Sequence, residues 1–131
     1  MHIVLNFNND YVFCACATMI SILENTKNIN VKFSILGNKI TPENKNKLIK
    51  SLQVYQNFKN INFIDMNSYF PSDKFIINSY FSLETFYRCF IPIIFKNEKI
   101  IYVDPDMVVF GDLDMVPCDD DHAISAVKCY V

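Results

Sequence analysis

At 131 residues, 51% hydrophobic and 15% aromatic, the chain has enough apolar material for one buried core, which excludes a disordered segment. Its net charge of −2 at pH 7 excludes the strongly basic surface of a nucleic-acid binder. No window reaches the ~18 uninterrupted apolar residues of a membrane span, since Arg88 and Pro92 break the most apolar stretch, Phe86 to Phe95.

His2 to Phe7 reads as a buried strand, and Asn8-Asn9-Asp10 as a polar turn. Tyr11 to Glu24 reads as a helix, with Val12, Cys16, Met19, Ile20 and Leu23 at three- and four-residue steps. Val31 to Leu36 is a second strand ending at Gly37. Thr41-Pro42-Glu43 is a helix start, a capping hydroxyl followed by a proline whose missing N–H is no loss there. That helix is expected to run to about Phe58, with Leu48, Ile49, Leu52 and Tyr55 as its apolar stripe. Its Lys45, Lys47 and Lys50 read as a solvated face.

Ile61 to Met66 is a third strand, and Asn67 to Lys74 a loop. Ser82 is placed to cap a further helix through Leu83, Phe86, Tyr87 and Phe90, strained or ended by Pro92. The apolar run Ile100 to Val103 suits a strand buried on both faces. A short loop after Gly111 and Asp112 leads to a last strand, Ala123 to Val127. Strands alternating with helices imply an α/β sandwich on a mainly parallel sheet.

The five cysteines (Cys14, Cys16, Cys89, Cys118 and Cys129) are odd in number and irregular in spacing, which suits reduced thiols and a cytoplasmic setting. No signal peptide is read at the start, because His2 to Leu5 is only a strand's worth of apolar residues. Peripheral contact with a membrane stays open. Cys118, Asp119, Asp120, Asp121 and His122 match no ligand framework and read as a solvated turn.

Asp104-Pro105-Asp106 is the most informative feature. A bare D-x-D is commonly just a turn, because Pro presets φ and Asp bonds the local backbone. Here the two acids close an apolar strand, where burial without a partner would be unfavourable. Ligands of open α/β sheets gather at such strand ends. Two carboxylates one residue apart are hard-oxygen ligands suited to Mg²⁺ or Mn²⁺, and hence to a phosphate held through the metal.

Three segments in this order, IVLNFNNDYVFCACATMISILEN, SLETFYRCFIP and IIYVDPDMVVFGDLD, resemble the N-terminal half of glycosyltransferase family 8, over essentially the whole chain. That family includes glycogenins and bacterial lipopolysaccharide glucosyl- and galactosyltransferases. The resemblance implies a GT-A fold, a Rossmann-like nucleotide-diphospho-sugar transferase sandwich. It also implies a UDP-sugar donor, Mn²⁺ (or Mg²⁺), and retaining transfer to a saccharide acceptor such as lipopolysaccharide or another surface glycan. By position, Asp104 and Asp106 would hold the metal, Asp104 also lying near the donor. Tyr11 would stack on uracil, and Asn8 or Asp10 would bond its edge. Arg88 would reach the donor sugar or phosphate, with Ser82 and Thr85 where that helix nears the nucleotide. The alternative partner for Arg88 is Glu84, four residues earlier on one face.

Three departures from the family pattern stand out. Asn8-Asn9-Asp10 replaces an early acid and a pre-tyrosine Asn, and Lys128 and Cys129 stand where an acidic residue is common. Catalytic domains of the family are also much longer. Residues 1–131 therefore read as a single, incomplete donor-binding domain, lacking the half that supplies a metal-site histidine, a diphosphate lysine and most of the acceptor pocket. His122 falls too early to be that histidine. Competing readings are a non-catalytic binding or assembly module that self-associates, and a haloacid-dehalogenase-like phosphatase with Asp104 as nucleophile.

Overall fold

In the computed structural model, which describes residues 1–69, 83–116 and 126, a four-stranded parallel sheet has the order β3-β2-β1-β4. The strands are β1 (His2–Asn8), β2 (Val31–Asn38), β3 (Phe58–Asp65) and β4 (Ile101–Tyr102). Helices α1 (Val12–Asn25) and α2 (Pro42–Leu52) make the first and second crossovers. The 3-10 helix Leu83–Phe90 and the single turn α3 (Ile91–Ile94) precede β4.

Side chains alternate across a strand, and both faces of β1 are buried. Ile3, Leu5 and Phe7 join Met19, Ile22, Leu23, Leu48 and Leu52 of α1 and α2 in one core. Val4 faces the other way, with Leu36, Met66, Tyr87 and Phe95, under the layer formed by residues 83–95. The same alternation puts Asn6 and Tyr102 on the second face, and carries Asp104 to the side of the 83–90 helix. Gly37 of β2 has little room for a side chain: a Cβ there would lie 2.7 Å from Ile40 Cδ1 and 2.9 Å from the Phe7 carbonyl oxygen.

The strand at the N-terminus, the Thr41 cap (Oγ1 accepting from Asn44 N at 3.3 Å) and the parallel sheet agree with expectation. Other boundaries differ. Helix α2 stops at Leu52, six residues short of Phe58, because the following turns send buried Asn57 toward α1. There its Nδ2 donates to Leu23 O (2.9 Å) and Thr26 O (2.7 Å), closing the end of that helix. Phe58 instead opens β3 and stacks on Phe33. Pro92 does not end the preceding helix. It falls in the first turn of α3, where its lack of an N–H is harmless. The strand before Asp104 is only two residues long and half-buried, although Val103 N still donates to Val4 O at 3.0 Å.

Lys47 pairs with Glu43 at 2.7 Å on the exposed face of α2, and Lys45 lies over the Phe63 ring. No helix among the described residues is long and apolar enough to cross a membrane. The segment 118–122, most of the strand expected over 123–127, and Ser82 lie outside the described residues.

Candidate functional site

A sheet with order 3-2-1-4 reverses its winding direction between β1 and β4, and the crevice beyond the carboxyl ends of those strands is the standard ligand position of open α/β folds. In this chain that crevice is a cavity of about 260 Å³. Asn6, Phe7 and Asn8 reach it from the end of β1, and Tyr11 from the turn that follows. Asp104, Pro105 and Asp106 reach it from the end of β4; Glu84, Thr85 and Arg88 line it from the 83–90 helix.

Each wall has a local cause. Asn8 leaves β1 in extended backbone, and its Oδ1 accepts from Asp10 N at 3.0 Å, turning the chain into the 3-10 turn Asn9–Tyr11 and then α1. Asn9 ties that turn to α2, its Oδ1 accepting from Thr41 N (3.1 Å) and Asn44 Nδ2 (2.9 Å). Tyr11 is left 47% exposed at the cavity rim. The Asp-Pro-Asp turn is pinned from beneath by α1. Thr18 Oγ1 lies 2.8 Å from Pro105 O and 2.7 Å from Met107 O, while Asn25 Nδ2 donates to Val109 O at 2.8 Å.

Arg88 lies among aromatic residues in sequence but is not an interior charge. Its side chain is 45% exposed, its Nε donates to Thr85 O at 3.0 Å, and its guanidinium lies over the Tyr102 ring, 5.1 Å from the centroid. The carboxylate beside it is Asp104, with Nη2 to Oδ1 at 3.5 Å, and not Glu84. Asp104 Oδ1 also accepts from Tyr102 Oη at 2.7 Å, and the Tyr102 hydroxyl makes a second, very short contact with Asn6 Oδ1. Burial first, then the Asp104 carboxylate, pushes the Tyr102 phenol far above its usual ionisation range, so it remains a donor.

Of the residues singled out from the sequence, Asn8, Tyr11, Thr85, Arg88, Asp104 and Asp106 line this one cavity. Asp10 does not: it is exposed on the turn and outside the lining. Asn6 and Tyr102 were not singled out. Their signals were present, a lone amide in an apolar strand and a tyrosine two residues before Asp104, hence on the same face.

The donor set suits a shared cation better than a caged one. Among the described residues no three His, Cys, Asp or Glu side chains group as a metal site. Two carboxylates lining one cavity match the way Mg²⁺-like ions bind, through one or two protein acids with the remaining positions left to phosphate and water. Asp104 and Asp106 would hold such an ion.

A family model described as Glycosyl transferase family 8 matches residues 2–128. Among solved structures, the bifunctional glycosyltransferase WbbM in its apo form is 29% identical, with a TM-score of 0.71, over 87% of this chain and 20% of that one. An active-site mutant of LgtC is 23% identical (TM-score 0.74), covering 87% of this chain and 40% of that one. The galactosyltransferase LgtC in complex with donor and acceptor sugar analogues is 22% identical (TM-score 0.71), over 87% and 41%. The chain thus spans less than half the length of each of these solved chains. No curated protein sequence gives a significant match.

Proposed function

The chain belongs to glycosyl transferase family 8 and has the GT-A fold, and from that premise we propose that its cavity is the UDP-sugar site of a metal-dependent, retaining glycosyltransferase. Glucose or galactose is the proposed sugar, and a saccharide such as lipopolysaccharide or another surface glycan the proposed acceptor. The observation that carries this reading is the meeting of Tyr11, Arg88, Asp104 and Asp106 in one cavity at the switch point between β1 and β4. LgtC, with the same fold, has been solved with donor and acceptor sugar analogues, which fits a donor role for the corresponding crevice here.

The chemistry assigned to each residue follows from its placement. Tyr11 offers an exposed ring face for uracil, and Asn8 an amide for its edge. Arg88 brings a planar guanidinium suited to bidentate phosphate recognition, held in place by Thr85 O and the Tyr102 ring. Asp104 and Asp106 supply the oxygens for Mn²⁺ or Mg²⁺, which when bound neutralises charge on the departing diphosphate. A phosphatase reading, with Asp104 as nucleophile, gives way to the family match over residues 2–128.

A thermal-shift series tests the base and metal requirements together. UDP with Mn²⁺ is expected to raise Tm more than ADP with Mn²⁺ or UDP alone, because only a ligand bound to the native state stabilises it. Equal shifts for UDP and ADP, with or without metal, would reject the assignment.

A further inference from the structure

We propose that Tyr102 is a positioning residue: its hydroxyl, braced by Asn6, orients the Asp104 carboxylate so that Oδ2 is the oxygen presented to the divalent cation. This rests on the donor-site reading above and adds to it a residue that contacts neither nucleotide nor metal.

The network runs through three elements. Asn6, in the last turn of pleat before β1 ends, is 5% exposed, and its Nδ2 donates to Glu84 O at 2.5 Å in the 83–90 helix. That bond turns Asn6 Oδ1 toward β4, where it meets the Tyr102 hydroxyl. The same hydroxyl lies 2.7 Å from Asp104 Oδ1, and the carboxylate, as the charged acceptor, draws its proton most strongly. Arg88 approaches this same oxygen at 3.5 Å, and its Nε returns to Thr85 O. β1, β4 and the 83–90 helix are thereby joined in a closed ring of contacts around one carboxylate oxygen.

The consequence is selective. Both polar contacts described for the Asp104 side chain use Oδ1, so Oδ2 is the oxygen left for a ligand. A carboxylate held at one oxygen has one orientation, whereas a free one must give up rotational freedom when it ligates. Partners that orient a ligating group in this way are typically worth 10–100-fold in metal affinity. The Tyr102 ring separately supports Arg88, so removing only the hydroxyl isolates the positioning role.

The test is Tyr102→Phe in the 131-residue chain, with Mn²⁺ occupancy in the presence of UDP read from the electron paramagnetic resonance of free Mn²⁺. Mn²⁺ affinity is expected to fall by about tenfold, while UDP affinity at saturating Mn²⁺ stays within twofold of wild type. Because the change strands buried Asn6 Oδ1, the double variant Asn6→Leu/Tyr102→Phe, which removes both partners, serves as the control for folding. It should show the same loss of Mn²⁺ affinity with a wild-type circular dichroism spectrum. Mn²⁺ affinity within twofold of wild type in either folded variant would overturn the proposal. Asp104→Ala separates the two claims: if it too leaves Mn²⁺ affinity unchanged, the donor-site reading fails; if it abolishes binding, only the role of Tyr102 does.

Discussion

Arg88 and Asp104, sixteen positions apart in sequence, face each other across the cavity with Nη2 3.5 Å from Oδ1. The pair joins two of the elements that line the crevice, the 83–90 helix and the end of β4. Arg88 thus stands as counter-ion where a metal is proposed to bind. Both side chains are nearly half exposed, so solvent screens their attraction. In Arg88→Ala, Mn²⁺ alone is expected to bind a few-fold more tightly, since a competing positive charge is gone. UDP in the presence of Mn²⁺ should bind about tenfold more weakly, the loss of one charge-assisted phosphate contact. Fluorescence or calorimetric titration of each ligand separates the two signs.

Thr18 offers a way to disturb the Asp-Pro-Asp turn without touching the cavity. Its hydroxyl is buried within α1 and sits between Pro105 O and Met107 O. Thr18→Val keeps the shape and removes the anchor. The expected cost is about 1–3 kcal/mol of stability for the carbonyls left unpaired, together with weaker Mn²⁺-dependent UDP binding. Urea unfolding and a UDP titration on the same preparation measure both effects.

Much of this could be read from the chain itself, and the failures share a cause. Thr41-Pro42 and the apolar run of β1 are local signals, and local chemistry decided them. The Asp-Pro-Asp turn was conspicuous because two acids end an apolar strand, and it does line the cavity. For Arg88, expected at the donor sugar or phosphate, the alternative protein partner was Glu84 on its own helix, because periodicity relates only residues within one element. Its actual partner depends on how the 83–90 helix lies against β4, which no spacing rule encodes. Asn57 went unnoticed for the same reason: its two acceptors belong to α1, more than 30 residues away.

Tyr11 is expected to carry the uracil contact through its ring face and not its hydroxyl. Tyr11→Phe should bind uridine nucleotides within about twofold of wild type. Tyr11→Ala should lose roughly 1–3 kcal/mol, the worth of one base stacked on an aromatic ring. Saturation-transfer NMR on UDP should then show the uracil protons losing signal in the alanine variant before the ribose protons do. Equal losses across the nucleotide would contradict the stacking assignment.

At the opposite end of the sheet, His2 gives the fold a pH dependence remote from the cavity. Its Nδ1 faces Glu98 Oε2 at 3.0 Å and its Nε2 faces Ser34 Oγ at 2.9 Å, while Lys32 pairs with the same Glu98 oxygen at 2.8 Å. Burial, followed by the Lys32 charge, holds the imidazole below its usual 6.5, with Glu98 opposing. A neutral ring donating from Nδ1 and accepting at Nε2 fits these partners. In the window between its folded value and 6.5 the unfolded chain binds more protons, so stability falls as pH falls through that window. Glu98, held below its usual range by Lys32 first and then His2, adds a loss of the same sign at lower pH. Tm is therefore expected to drop as pH is lowered below the ordinary histidine value of 6.5, and to do so less in His2→Gln.

The central claim is that Asp104 and Asp106 bind UDP through a divalent cation, and isothermal calorimetry of UDP into the wild-type chain, with Mn²⁺ and then with excess chelator, tests it most directly. Binding heat is expected with Mn²⁺, to vanish with chelator, and to be absent from Asp104→Asn and Asp106→Asn under both conditions. Equal heats in all three proteins, unaffected by chelator, would contradict it.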